Sequence, residues 1–161
     1  MDCDHVDVTQ NLRIDFTIIL PKIELMNPGM KVTYQGGLRN HAVHVRSGNT
    51  LMTDAPPDNH GKGEAFSPTD LMCTSLAACM ITLMGITANA KNIKLGNIEA
   101  DIEKIMASDP RRVGGINLEI RIQEMGFDER ERKIIENAAL TCPVAKSIHP
   151  DIVLNTQFIY V

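Results

Sequence analysis

Tryptophan is absent from this sequence, and Tyr and Phe together make up only 4% of its 161 residues. A core of stacked rings is therefore excluded, and apolar packing falls to Ile, Leu, Val, Met and Ala. Nine Met supply adaptable filling for it. A surplus of positive charge is also lacking: 16 Lys and Arg against 20 Asp and Glu leave a formal net charge of -4 and a pI near 5.7. Such a chain is a poor match for phosphate backbones, so no nucleic-acid partner is expected. Cysteines are few. Cys3, Cys73, Cys79 and Cys142 have neither the density of a disulfide framework nor the CxxC spacing of a zinc site, so no metal is expected and a reducing, cytoplasmic setting fits. The stretch from Leu12 to Leu20 is interrupted by Asp15 and preceded by Asp2, Asp4 and Asp7, the opposite of a signal peptide. No segment reads as long enough to span a membrane, so no membrane partner is expected. Glycine-rich phosphate loops and dinucleotide fingerprints are missing, so no cofactor is expected either.

A chain of this length, 43% hydrophobic and 22% charged, has room for one domain with one core. Residues 1–29 read as a leader, or as an extra strand from Arg13 to Leu20, ending in the turn-forming Met26-Asn-Pro-Gly-Met30. From Lys31 the sequence predicts a β-meander: Lys31 to Tyr34, His41 to Arg46 and Leu51 to Thr53, separated by Gly36-Gly37 and Ser47-Gly48-Asn49. A long loop, Asp54 to Phe66, follows, and loops of that length in compact domains often have a task. Ser67-Pro68-Thr69-Asp70 then supplies an N-cap, a proline at the first helical position and a capping-box acid. The helix it opens runs through Ala88 and is apolar nearly all round, which predicts a sheet on one side and a second cover, a partner subunit, on the other. Strands are predicted at Ile98 to Met106 and Gly115 to Glu124, with Ser108 to Gly114 as a polar turn carrying Arg111 and Arg112 at a solvated tip. A second helix starts at Asp128 with Glu131 three residues on, and its apolar stripe is Ile134, Ile135, Ala138 and Ala139. Thr141-Cys142-Pro143 ends it, and Ile152 to Val161 closes the chain as a strand.

Two cysteines stand out. Cys79 lies about three turns into the long helix, just after Ala77-Ala78, whose small side chains leave room for a substrate atom to approach the sulfur. Cys73, six positions earlier, points some 120° away at about 100° per residue and reads as core packing. Cys142, before Pro143, reads either as the N-cap of a fresh helical turn, where free amides favour a thiolate, or merely as the end of the preceding helix. His41 and His44 fall on opposite faces of a strand, which argues against a metal pair. His60 and His149 read as turn residues or as neighbours of the thiols.

Phe66-Ser-Pro-Thr-Asp-Leu-Met-Cys-Thr-Ser-Leu-Ala-Ala-Cys79-Met and Thr141-Cys142-Pro143-Val-Ala-Lys-Ser-Ile-His-Pro150 resemble, in order and separation, the two cysteine motifs of the OsmC/Ohr family, the osmotically inducible and organic hydroperoxide resistance proteins. The resemblance covers residues 30–161. It implies an α+β fold with antiparallel sheets packed on a long cysteine-bearing helix, and an intertwined homodimer with active sites at its interface. It also implies a thiol peroxidase: Cys79 as thiolate attacks a hydroperoxide, becomes sulfenic acid and condenses with Cys142, and a dithiol, lipoyl-type or other, restores both. An Arg and a Glu assist the thiolate in that family. Arg39 fits the first position, with Arg46 as a rival, and Glu64 fits the second. The apolar helix favours an organic hydroperoxide, whose tail gains about 0.8 kcal/mol per buried methylene. A non-enzymatic member of the same fold, holding a small apolar ligand or sensing redox state at the dimer interface, is the alternative.

Overall fold

A computed structural model describes residues 28–161; Cys3, most of the leader and the strand expected from Arg13 to Leu20 lie outside the described residues. Three strands come first, β1 (Met30–Gly36), β2 (Arg39–His44) and β3 (Thr50–Asp54), paired antiparallel in that order. This is the expected meander. After a loop with one 3-10 turn at Pro57–Asn59 comes α1 (Pro68–Lys91). The second sheet follows: β4 (Ile98–Ser108) pairs antiparallel with β5 (Arg111–Ile122), and β6 (Val153–Tyr160) returns parallel to β5 after α2 (Glu129–Leu140) and α3 (Pro143–Ser147). The α+β class is as the resemblance implied, but the second sheet is not wholly antiparallel as expected, because the crossover through α2 and α3 brings β6 back parallel to β5.

Local chemistry sets the helix boundaries. Ser67 caps α1 by accepting the Asp70 N–H at 3.1 Å, while the Asp70 carboxylate accepts the Ser67 N–H at 2.7 Å. Asn92, left-handed at φ 56°, ends the helix. Asp128 and Glu131 build the same reciprocal box at the head of α2. Inside, β5 alternates, sending Ile116, Leu118, Ile120 and Ile122 toward α1. From α1 the residues Cys73, Leu76, Ala77, Met80, Met84 and Ala88 meet them, and Ile135 and Ala139 of α2 cover the side. Every buried apolar residue among those described is non-aromatic, as the composition required.

Lys104 of β4 takes an inward position of the sheet, yet its ammonium donates to Ser67 Oγ at 3.2 Å, Thr69 Oγ1 at 2.9 Å and Asp70 Oδ1 at 2.6 Å. All three donors are satisfied, and the head of α1 is bolted to the sheet. Burial alone lifts the Asp70 carboxyl, but the bonds from Lys104 and Ser67 outweigh it and hold it below its ordinary value.

Two expectations need correction. At 24 residues α1 is long and apolar enough to cross a membrane, whereas the sequence was read as holding no such segment; the scattered Thr, Ser and Gly disguise its length. Its inner stripe packs on β4, β5 and α2, the behaviour of a core helix. The turn expected from Ser108 to Gly114 shrinks to Asp109-Pro110, and Arg111 and Arg112 belong to β5. Arg111 is not simply solvated, since it binds Asp58 of the long loop at 2.9 Å.

Among the described residues, one side stays uncovered. Every residue of β1 is exposed, with Met30 at 73%, Val32 at 66% and Tyr34 at 62% on one face. On α1 the stripe Ser75, Ala78, Thr82 and Ile86 is exposed, opposite the buried one.

Ile120 has no exposed surface. Replacing it with Ala is expected to cost about 2–5 kcal/mol. In urea unfolding this would read as a lower midpoint with an unchanged slope.

Candidate active site

Cys79 and Cys142 face one another although 63 positions separate them in the chain. Cys79 is half-buried on α1, at the margin between its covered and uncovered stripes. Cys142 is wholly buried in the core cluster and caps α3, its sulfur accepting the Ala145 N–H at 3.3 Å. The N-cap reading of Cys142 therefore holds, but the expected gain in acidity does not. Burial pushes the Cys142 thiol up; the Ala145 N–H opposes this, and the adjacent Cys79 thiol raises it further. A five-residue helix offers too little positive end to outweigh loss of solvent. All three described cysteines are free, and adjacency of this kind is the starting geometry for a disulfide.

Arg39 and Glu64 also meet. Arg39 Nη2 donates to Glu64 Oε2 at 2.6 Å, and a third residue joins them: Asp54 takes Arg39 Nε at 2.6 Å and Nη2 at 2.7 Å. Asp54 Oδ2 accepts the Glu64 N–H at 3.0 Å as well. The Asp54 side chain is 2% exposed, and the two-pronged guanidinium holds its carboxyl below the usual range while Asp54 and Glu64 keep Arg39 more firmly protonated. Asp54 was missed in the sequence, where it is simply the first residue of a loop. Its signal is structural: β3 pairs with β2 so that Asp54 stands opposite Arg39.

The loop that delivers Glu64 turns so tightly that Gly61 and Gly63 are required. A β-carbon at Gly61 would sit 1.7 Å from the Ala55 carbonyl oxygen, and Gly63 adopts φ +64° against Pro57. Bonds from Gly61 N–H to Pro56 O at 3.1 Å and from Gly63 N–H to Ala55 O at 3.2 Å close the turn.

These two groups of residues do not meet within one chain. The charge cluster lies at the head of α1, and at about 1.5 Å rise per residue Cys79 is roughly 17 Å from Pro68 along the helix. Arg39 directs its hydrogen bonds to Asp54 and Glu64. The cysteine beside a cleft of about 570 Å³ that Glu64 lines is Cys73, at 2% exposure, whose thiol burial pushes up. That environment suits packing, as expected. Arg46, the rival of Arg39, is exposed in the turn after β2. His60 ends the 3-10 turn and His149 Nδ1 accepts the Asp151 N–H at 3.2 Å, so both act as turn residues. His44 binds Ser47 at 2.7 Å.

The folded-state pKa of Asp54 is depressed, so the stability it contributes is present above an unfolded value of about 3.9 and is lost as pH falls through the lower folded value. Asp54→Asn is expected to destabilise the chain at neutral pH. Its difference from wild type should close on acidification below about pH 3.9 in urea unfolding at a series of pH values.

Comparison with known proteins bears on all of this. A family model described as OsmC-like protein matches residues 61–157. A candidate osmotic-stress-induced and detoxification-response protein of Psychrobacter arcticus is 52% identical, with a TM-score of 0.77 over 81% of this chain and 95% of its own. An organic hydroperoxide resistance protein of Legionella pneumophila shares the fold at 20% identity, with a TM-score of 0.64 over 85% of this chain and 98% of its own. One from Bacillus subtilis does so at 20% identity, with a TM-score of 0.58 over 80% and 96%. The search of curated proteins finds no match. Family model, near relative and fold agree, and the chain belongs to the OsmC-like family, which includes organic hydroperoxide resistance proteins.

Proposed function

We propose that this protein is a cytoplasmic two-cysteine peroxidase acting on organic hydroperoxides in oxidative stress defence. The observation that carries the reading is the pairing of a half-exposed thiol, Cys79, with a buried thiol that faces it, Cys142. Cys79 thiolate attacks the terminal oxygen of the hydroperoxide, the O–O bond breaks, and the alkoxide leaves as alcohol after taking a proton. The resulting sulfenic acid condenses with Cys142: the S–S bond forms and water departs. A dithiol of lipoyl or similar type then returns both sulfurs to thiols.

The functional unit in this reading is a homodimer, and it completes the site. Arg39 is held by Asp54 and Glu64 beside the head of α1, and Cys79 lies roughly 17 Å further along that helix from Pro68. The bare stripe of α1 and the exposed apolar face of β1 both call for a cover. A second copy laid on them supplies that cover and can bring its own Arg39, held by Asp54 and Glu64, to the thiol across the interface. There the guanidinium favours the thiolate and the developing negative charge on the departing oxygen.

The thiol variants separate the roles. Cys79→Ser is expected to abolish turnover. Cys142→Ser should consume one equivalent of cumene hydroperoxide, stall as sulfenic acid and over-oxidise in excess, whereas Cys73→Ser should cycle normally; mass spectrometry after one equivalent reads each outcome. Normal cycling of Cys142→Ser would sink the mechanism.

Arg39→Ala should slow peroxide reduction by on the order of 10²-fold, the scale of losing one preorganised donor, and should also lower the urea midpoint because it leaves the Asp54 carboxylate unpaired. Mixing Arg39→Ala with Cys79→Ser chains should recover activity that neither has alone. A sedimenting monomer at micromolar concentration, or no recovery on mixing, would count against the shared site.

A further inference from the structure

The two facing sulfurs are unequally open. Cys142 has no exposed surface, and it is enclosed by its own chain as a member of the core cluster; no arrangement of partners can uncover it. Cys79 borders the stripe of Ser75, Ala78 and Thr82. Ala78 ends at its β-carbon, and the hydroxyls of Ser75 and Thr82 fold back on the helix, each 2.8 Å from a carbonyl oxygen, Met72 O and Ala78 O. Ser75, Ala78 and Thr82 are all short and uncharged, and a second copy laid over that stripe must still leave the path by which a peroxide reaches Cys79.

Resting on the disulfide of the proposed function, we propose that the electron donor opens the Cys79–Cys142 bond at Cys79, and that Cys142 is the leaving group. Thiol–disulfide exchange is a displacement at sulfur, in which the incoming thiolate approaches in line with the bond it breaks. Reaching Cys142 in line means arriving from the core, behind a fully buried atom. Reaching Cys79 means arriving from the margin of α1, along the path a hydroperoxide itself must use.

The leaving side is prepared. Ala145 N–H already points at Cys142 Sγ from 3.3 Å and receives the charge that develops as the bond breaks. Burial works against that departure, so access rather than acidity decides the direction. The step balances: one thiolate of the donor bonds to Cys79 Sγ, and Cys142 leaves as thiolate and takes up a proton. The donor's second thiol then displaces Cys79 and closes the donor's own disulfide. Two electrons pass from a dithiol to the protein. The donor must therefore be a slender thiol able to enter the peroxide's own path, and it alternates with the peroxide at one atom.

The test uses the wild-type chain with its bond formed by diamide, so that it does not depend on peroxide turnover. Oxidised protein is mixed with 2-mercaptoethanol, quenched in acid at early times, denatured, alkylated with N-ethylmaleimide and mapped by mass spectrometry. The mercaptoethanol adduct is expected on Cys79 and the maleimide on Cys142, in roughly tenfold or greater preference. An adduct on Cys142, or an even split, overturns the proposal. Failure of peroxide to form the bond that diamide forms would overturn the peroxidase reading and leave the side of attack decided. Failure of diamide to join Cys79 to Cys142 would overturn both.

Discussion

A helix apolar on nearly every side must be covered on every side, and α1 is covered by its own chain on only one. That constraint organises the molecule. The second sheet and α2 take the inner stripe, α3 closes the flank, and Lys104 fixes the head of the helix to β4 with three hydrogen bonds. What remains, from Ser75 to Ile86, is uncharged and has no partner among the described residues. Cys79 owes its half-buried state to its place on the boundary between the two regions. Deeper in, it would be as inert as Cys73; further out, it would lose its contact with Cys142.

The same helix separates charge from sulfur. Beside its head stands the ion-paired cluster, where a nearly dry Asp54 neutralises and orients Arg39, and the thiol lies about three turns further on. A charge held that firmly cannot swing along the helix, since doing so would strand a buried carboxylate. In the proposed reading the pieces of one chemical site stand at two places of the chain, and the proposed second copy unites them. The apolar surface left bare and the divided site are two expressions of a single geometry.

Much of this was legible in the sequence wherever the cause is local. Ser67-Pro68 and Asp70, Asp128 and Glu131, and the alternation along β5 depend on neighbours within a few positions, and they appear in the structure where they were placed. Cys142 as an N-cap is of the same kind. What the sequence hid depends on distant contacts. Asp54 becomes a site residue because β3 runs opposite β2, Lys104 becomes a structural bolt because β4 passes the head of α1, and Arg111 joins a strand because it can reach Asp58. The acidity of Cys142 was misjudged because burial is a property of the whole core, whereas the amides of α3 are a property of five residues. Arg39 and Glu64 were chosen by resemblance and do meet, yet no spacing rule could show that they stand apart from Cys79.

Sulfur is distributed through this molecule in a graded way. Met80 and Met84, on the inner face of α1, are 1% and 0% exposed, Met125 is 46% exposed on the surface, and Cys79 lies between these extremes. A thioether sealed in the core can be oxygenated only while the chain is open. A sulfoxide at Met84 is therefore a chemical record that a given molecule has unfolded, whereas one at Met125 records only that it has met an oxidant. The core methionines serve as a clock of breathing, readable in any sample of aged protein.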